Sequence, residues 1–185
     1  MFQLIAGIVG IIAYIPLIIG IVKSKIEQSF AAFLLWAMID TIASVTTILE
    51  RGNYWLPLAN ATGSSIIALI LAIKKQVSWA WIETMTTVLV VVCLLIWYAA
   101  GETAGIISSS LAVVIASIPQ MVATYKSPNT TPTVPYIIFL TANILSLLAG
   151  KSWTIEERFY AGCSVFLCAV IVLFSLRRAP TKSLR

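Results

Sequence analysis

Seven stretches of predominantly apolar residues, each near the length of about 20 that crosses a bilayer core, follow one another near 2–22, 30–49, 55–73, 79–99, 104–124, 134–150 and 158–176. The connections between them are short and leave no room for a soluble catalytic or ligand-binding domain. This pattern predicts an all-α integral membrane protein of seven transmembrane helices, with its function seated inside the bilayer. Isoleucine-proline pairs fall inside two of the stretches: Ile15-Pro16 in the first and Ile118-Pro119 in the fifth. Each is followed after the same gap by a lysine-serine pair, Lys23-Ser24 and Lys126-Ser127. The offset that relates these pairs also lays Asp40 on Asn143, polar residues in the second and sixth stretches.

One shared offset predicts a parallel repeat. Three helices are an odd unit, so a second copy joined directly would emerge inverted, and one extra crossing restores its sense. The expected plan is 3+1+3: a first three-helix repeat over 1–73, a linker helix within 74–103, a second three-helix repeat over 104–178 and a tail over 179–185. Parallel repeats of this kind are one of the two recurring plans of transporters.

Charge adds orientation. With 60% of residues apolar and only 10% charged, the chain cannot clothe a soluble surface. Lys23, Lys25, Lys74, Lys75, Lys126, Arg177, Arg178, Lys182 and Arg185 fall on one side of the predicted spans. Arg51, Lys151 and Arg158 fall on the other, with Glu50, Glu102, Glu156 and Glu157. The positive-inside rule then places the N-terminus outside and the tail in the cytoplasm, where its basic residues suit anionic lipid. The net charge of +5 is dispersed over loop ends rather than gathered with aromatics into a patch, so no nucleic-acid partner is expected. The first stretch lacks the basic n-region and cleavage motif of a signal peptide. Cys93, Cys163 and Cys168 lie in apolar stretches and the chain has no histidine, so neither a disulfide, a metal centre nor a cofactor is expected.

The segment SIPQMVATYKSPNTTPTVP carries a proline-glutamine pair, Pro119-Gln120, near the end of the fifth helix, then a short basic loop and a further proline as the sixth begins. This resembles the PQ-loop motif. With the 3+1+3 plan, nearly the whole chain resembles a full-length seven-helix member of the PQ-loop, SWEET (MtN3/saliva) and cystinosin-like superfamily. NATGSS at Asn60–Ser65 is similar to the asparagine-containing run of the third SWEET helix. The first repeat reads Ile15-Pro16-Leu17 and lacks the glutamine, and the equivalent of Asn60 is Cys163 rather than a second asparagine. That departure weakens a sugar assignment without touching the fold.

A charged carboxylate at the bilayer centre costs roughly 2.5–3.5 kcal/mol on insertion scales, which makes Asp40 the foremost candidate. Trp36, Asp40, Ser44 and Thr47 form one stripe of the second helix, and Phe139, Asn143 and Ser146 share a face of the sixth. Asp40 reads as a proton site or as the counter-charge for a cationic substrate group; a structural carboxylic acid capped by a neighbouring helix is the competing reading. Asn143 and Asn60 offer amide donors and acceptors to a substrate, or glue helices together. By the resemblance, Asn60, Thr41 and the Cys163 position belong to a substrate pocket. Pro16 and Pro119 with Gln120 read as hinges, which the resemblance also implies. Gly63, Gly105, Ser109, Ala112 and Ala116 read as close-packing positions.

The expected function is transport of a small polar solute, a sugar or an amino acid, by alternating access, with proton coupling through Asp40. The partners are that substrate, protons and the lipid bilayer; a monomer suffices and a homo-oligomer is compatible. A receptor or sorting module of the same fold and a PnuC-type vitamin-precursor facilitator are the rivals. An enzyme is not expected, for want of a nucleophile-base pair. A bacterial cytoplasmic membrane is the expected location, an organelle the alternative.

Overall fold

The computed structural model describes residues 1–23, 30–75, 81–126, 128 and 133–177. The described residues form eight α-helices and no strand: α1 Phe2–Val22, α2 Phe30–Leu49, α3 Trp55–Ile73, α4 Trp81–Ala100, α5 Glu102–Ala116, α6 Ile118–Lys126, α7 Thr133–Ala149 and α8 Ile155–Ser175. Five helical runs are long and apolar enough to cross a membrane: α1, α2, α3, the joined pair α5–α6 and α8. The apolar part of α4, Thr84–Ala100, and α7 are shorter. The protein is a multi-pass helical membrane protein. Ser24, Lys25, Ser127, Arg178 and the tail 179–185 lie outside the described residues, as does the side chain of Pro119.

Helix ends differ from the hydropathy windows for local reasons. α8 begins at Ile155 because Glu156 and Glu157 belong to its first turn, where carboxylates suit the positive end of the helix dipole. Gly101 separates α4 from α5 with φ +82° and ψ −174°, a region reached without strain only by glycine.

The largest departure concerns the two prolines. α1 runs unbroken through Pro16, so the break expected there is absent, whereas the equivalent run in the second half splits at Ser117 into α5 and α6. The shared offset lays Ser117 on Tyr14. Ser117 turns its hydroxyl back on the Val113 carbonyl at 2.7 Å, a bond that bends helices, and Pro119 two residues on removes a further donor. Tyr14 cannot make that short bond; its ring leaves the helix and packs over Gly63.

In the first half of α1 size rather than polarity sorts the faces. Ala6, Gly7, Gly10 and Ala13 are buried, while Ile8 and Ile12 are exposed; further along, the larger Tyr14, Leu17 and Ile21 are buried and Ile15 and Ile19 exposed. Lipid is as apolar as isoleucine, so small residues mark the face where backbones can approach. α3 packs against both α1 and α2, and α8 against both α5–α6 and α7. Across these groups α1 lies on α7 and α2 on α5, while α4 packs on α5 and α2. Along the α2–α5 seam Gly105, Ser109, Ala112 and Ala116 are buried, and a Cβ on Gly105 would lie 2.6 Å from Thr46 Cγ2.

Gly63 is the tightest such point inside the first group: a Cβ there would stand 2.3–2.5 Å from ring carbons of Tyr14. Gly63→Ala is expected to destabilise the protein by about 1–3 kcal/mol, read as a lower midpoint of thermal unfolding in detergent. Gly162→Ala, inside α8 with its Cβ meeting only Leu147 Cδ1 at 4.0 Å, is expected to keep or slightly raise that midpoint, since alanine favours helix over glycine.

Candidate functional site

At mid-depth the helices surround a cavity of about 90 Å³. Its walls come from α1 (Tyr14, Leu17), α2 (Phe33, Trp36, Asp40), α3 (Asn60, Ser64), α5 (Val113), the Ser117–Gln120 junction, α7 (Tyr136, Phe139, Asn143) and α8 (Ser164, Leu167, Cys168, Ile171). Of the residues singled out in the sequence, Trp36, Asp40, Asn60, Asn143 and Gln120 meet here. Tyr14 stands edge-on to Phe139 with ring centroids 4.8 Å apart, and Phe33 stands edge-on to Trp36 at 5.2 Å.

Asp40 is 4% exposed. The Tyr160 hydroxyl of α8 donates to its Oδ1 at 2.7 Å, and Asn60 Nδ2 donates to the same Tyr160 oxygen at 2.8 Å. A phenol has one proton; since Tyr160 gives it to Asp40, its oxygen can only accept from Asn60. Tyr14 extends the network: its hydroxyl donates to the Asn60 backbone carbonyl at 3.2 Å and lies 3.1 Å from Ser64 Oγ. α1, α2, α3 and α8 thus share one chain of hydrogen bonds. Asn143 donates from Nδ2 to the Phe139 carbonyl at 2.7 Å and lies 3.5 Å from Cys168 Sγ. The side-chain oxygens of Asn60 and Asn143 are buried without a partner among the described residues.

Several sequence expectations are corrected. Thr41 lies outside the cavity: one residue beyond Asp40 is about 100° around the helix, and its hydroxyl donates to the Ala37 carbonyl at 2.7 Å beside a lateral groove shared with Met38, Ser65 and Val90. Cys163 likewise faces a lateral groove with Trp153, Phe159 and Phe166; its neighbour Ser164 turns inward. Ser44 and Thr47 are buried but do not line the cavity. Gln120 lines it and donates to Thr124 Oγ1 at 3.3 Å, so its side chain belongs to the wall as well as to the helix break. Pro16 sits in continuous helix and is no visible hinge. Tyr160 and Tyr14, which tie the site together, are absent from the sequence-based set.

The bundle end that carries Met1 is stitched shut. Gln3 Nε2 donates to Glu157 Oε2 at 2.8 Å, and the same oxygen accepts from the Lys151 backbone N–H at 2.9 Å. Asn53 Nδ2 reaches the Ser146 carbonyl and hydroxyl, each at 3.1 Å, while its backbone N–H donates to the Glu156 carbonyl at 3.1 Å. Gly52 lies so close to Glu156 that a Cβ would stand 2.3 Å from that carbonyl oxygen. Arg158 caps the carbonyls of Leu147, Gly150 and Ser152.

Tyr160→Phe deletes the donor to Asp40 and the acceptor for Asn60 together. A buried group left unsatisfied costs about 1–3 kcal/mol and more when charged, so this variant is expected to unfold at lower denaturant than the parent. In a double-mutant cycle with Asp40→Asn the coupling is expected to exceed about 0.5 kcal/mol, measured by equilibrium unfolding in mixed micelles.

No protein-family model, curated protein or solved structure matches this chain.

Proposed function

We propose that this chain is a transporter that carries a small polar solute through the bilayer by alternating access, the solute resting in the mid-depth cavity. The observation that carries the reading is the cavity itself: a carboxylate and two amides buried among lipid-facing helices, with the Met1 end held closed by hydrogen bonds between separate helix groups. Polar groups at this depth are expensive and default to function.

In this reading seven spans form two parallel three-helix repeats joined by α4, with the N-terminus outside a bacterial cytoplasmic membrane. Two features support the repeat. The third helix of each triplet packs between the other two, and the groups meet reciprocally, α1 on α7 and α2 on α5. The offset found in the sequence also pairs the cavity walls: Tyr14 with Ser117, Leu17 with Gln120, Phe33 with Tyr136, Trp36 with Phe139, Asp40 with Asn143 and Ser64 with Leu167. Twofold-related walls around one chamber suit a mechanism in which the triplets rock against each other. The PQ-loop resemblance of Pro119-Gln120 points the same way.

Proton coupling enters through the charge of Asp40. With Asp40 ionised, Tyr160 donates to it and Asn60 donates to Tyr160. A protonated Asp40 keeps one oxygen to accept from Tyr160 and gains an O–H donor on the other. One proton therefore removes the buried charge and adds a donor, and a ligand that prefers one protonation state shifts the equilibrium between conformations. Tyr160 and Tyr14 are the other titratable groups of this network.

Proteoliposome flux tests the reading. The parent is expected to concentrate its solute when an inward proton gradient is imposed, and Asp40→Asn to lose that accumulation while retaining downhill flux. Uphill uptake unchanged in Asp40→Asn rejects the coupling; no flux of any sugar, amino acid or amine rejects transport.

A further inference from the structure

The balance of charge in the cavity narrows the solute, an inference that rests on the transport reading above. Two amide orientations are fixed by their partners. The Phe139 carbonyl can only accept, so Asn143 turns Nδ2 to it and keeps Oδ1 free. The Tyr160 proton goes to Asp40, so Asn60 turns Nδ2 to Tyr160 and likewise keeps Oδ1 free. Both oxygens are buried, and Asn143 is 2% exposed. Beside them stands the Asp40 carboxylate. Among the described residues no lysine or arginine lines the cavity, and the chain has no histidine.

The walls carry donors in Tyr14, Trp36, Ser64, Tyr136 and Ser164, but among the described lining residues the carboxylate of Asp40 is the one charged group, so the site asks for a positive charge. A neutral sugar brings none. A zwitterionic amino acid brings a second carboxylate into a space with nothing to balance it. An ammonium brings only donors and one positive charge, and the rings of Phe33, Trp36, Tyr136 and Phe139 in the same walls offer the π-faces that attract cations. The chamber of about 90 Å³ suits a compact solute. We infer that the solute is a small organic cation, a protonated amine without a carboxylate, with Asp40 as its counter-charge and the Asn60 and Asn143 amides beside it.

The test titrates the full chain in lipid nanodiscs with four probes, propylammonium, 1-propanol, alanine and D-glucose, by calorimetry, and measures flux of the same four in proteoliposomes. Propylammonium is expected to bind at least tenfold tighter than 1-propanol. Asp40→Asn and Asn143→Leu are each expected to shrink that amine-to-alcohol ratio at least fivefold. Because the ratio is read within one sample, partial unfolding of a variant cancels. Alanine or D-glucose binding as tightly as propylammonium overturns the inference, and flux of that solute then leaves the transport reading standing. Absence of propylammonium binding also overturns it. Propylammonium binding without flux of any probe upholds the ligand class and overturns transport.

Discussion

Everything in this bundle is arranged around a carboxylate that has almost no access to water. Asp40 is 4% exposed in the middle of α2, with Ile8, Ile12, Ile15 and Ile19 of α1 and Val88, Val91, Leu94 and Leu95 of α4 turned outward around the bundle. In that setting a polar group must find its partner within the protein or in a wet cavity. Tyr160 supplies the direct bond, and because Tyr160 must itself accept from Asn60, the requirement passes from α2 to α8 and on to α3 and α1. Moving any of these helices relative to the others changes how the carboxylate is satisfied.

The same requirement explains why the rest of the packing is so lean. Helices in lipid gain little from burying apolar surface and associate through close contact and hydrogen bonds. The small residues of α1 and α5 let neighbours approach, and the hydrogen bonds at the Met1 end join α1 to α8 and the α2–α3 turn to α7 and α8. These closing bonds lie at one end, whereas the cavity reaches toward the lysine-bearing end, where Lys74 Nζ holds the Ile21 carbonyl at 2.7 Å. An asymmetric closure of this kind is what one state of a two-state gate requires.

Much of this was readable in advance, and the failures have geometric causes. Hydropathy gave the helices because a bilayer imposes length and apolarity directly. Asp40, Asn60 and Asn143 stood out as polar residues in apolar stretches, and the offset linking Asp40 to Asn143 brings both to one cavity. Thr41 and Cys163 lie outside the cavity because one residue turns the helix by about 100°, which a linear motif match cannot resolve. Tyr160 was overlooked because a tyrosine in the second turn of a span reads as an interfacial anchor. The signal that could have found it is that a buried Asp40 needs a donor from another helix, and a tyrosine reaches across a bundle where many serines and threonines bond the carbonyls of their own helix. Pro16 failed because a proline removes one bond, and neighbouring contacts decide whether the helix breaks.

The central claim is that a water-accessible chamber lies between the two helix groups and communicates with the two membrane faces in turn. Its most direct test is labelling of Ser164→Cys, in a background with Cys93, Cys163 and Cys168 replaced, by an impermeant thiol reagent added to either face of sealed vesicles. The account predicts modification from both faces. A thiol that resists the reagent from one or both faces would contradict it.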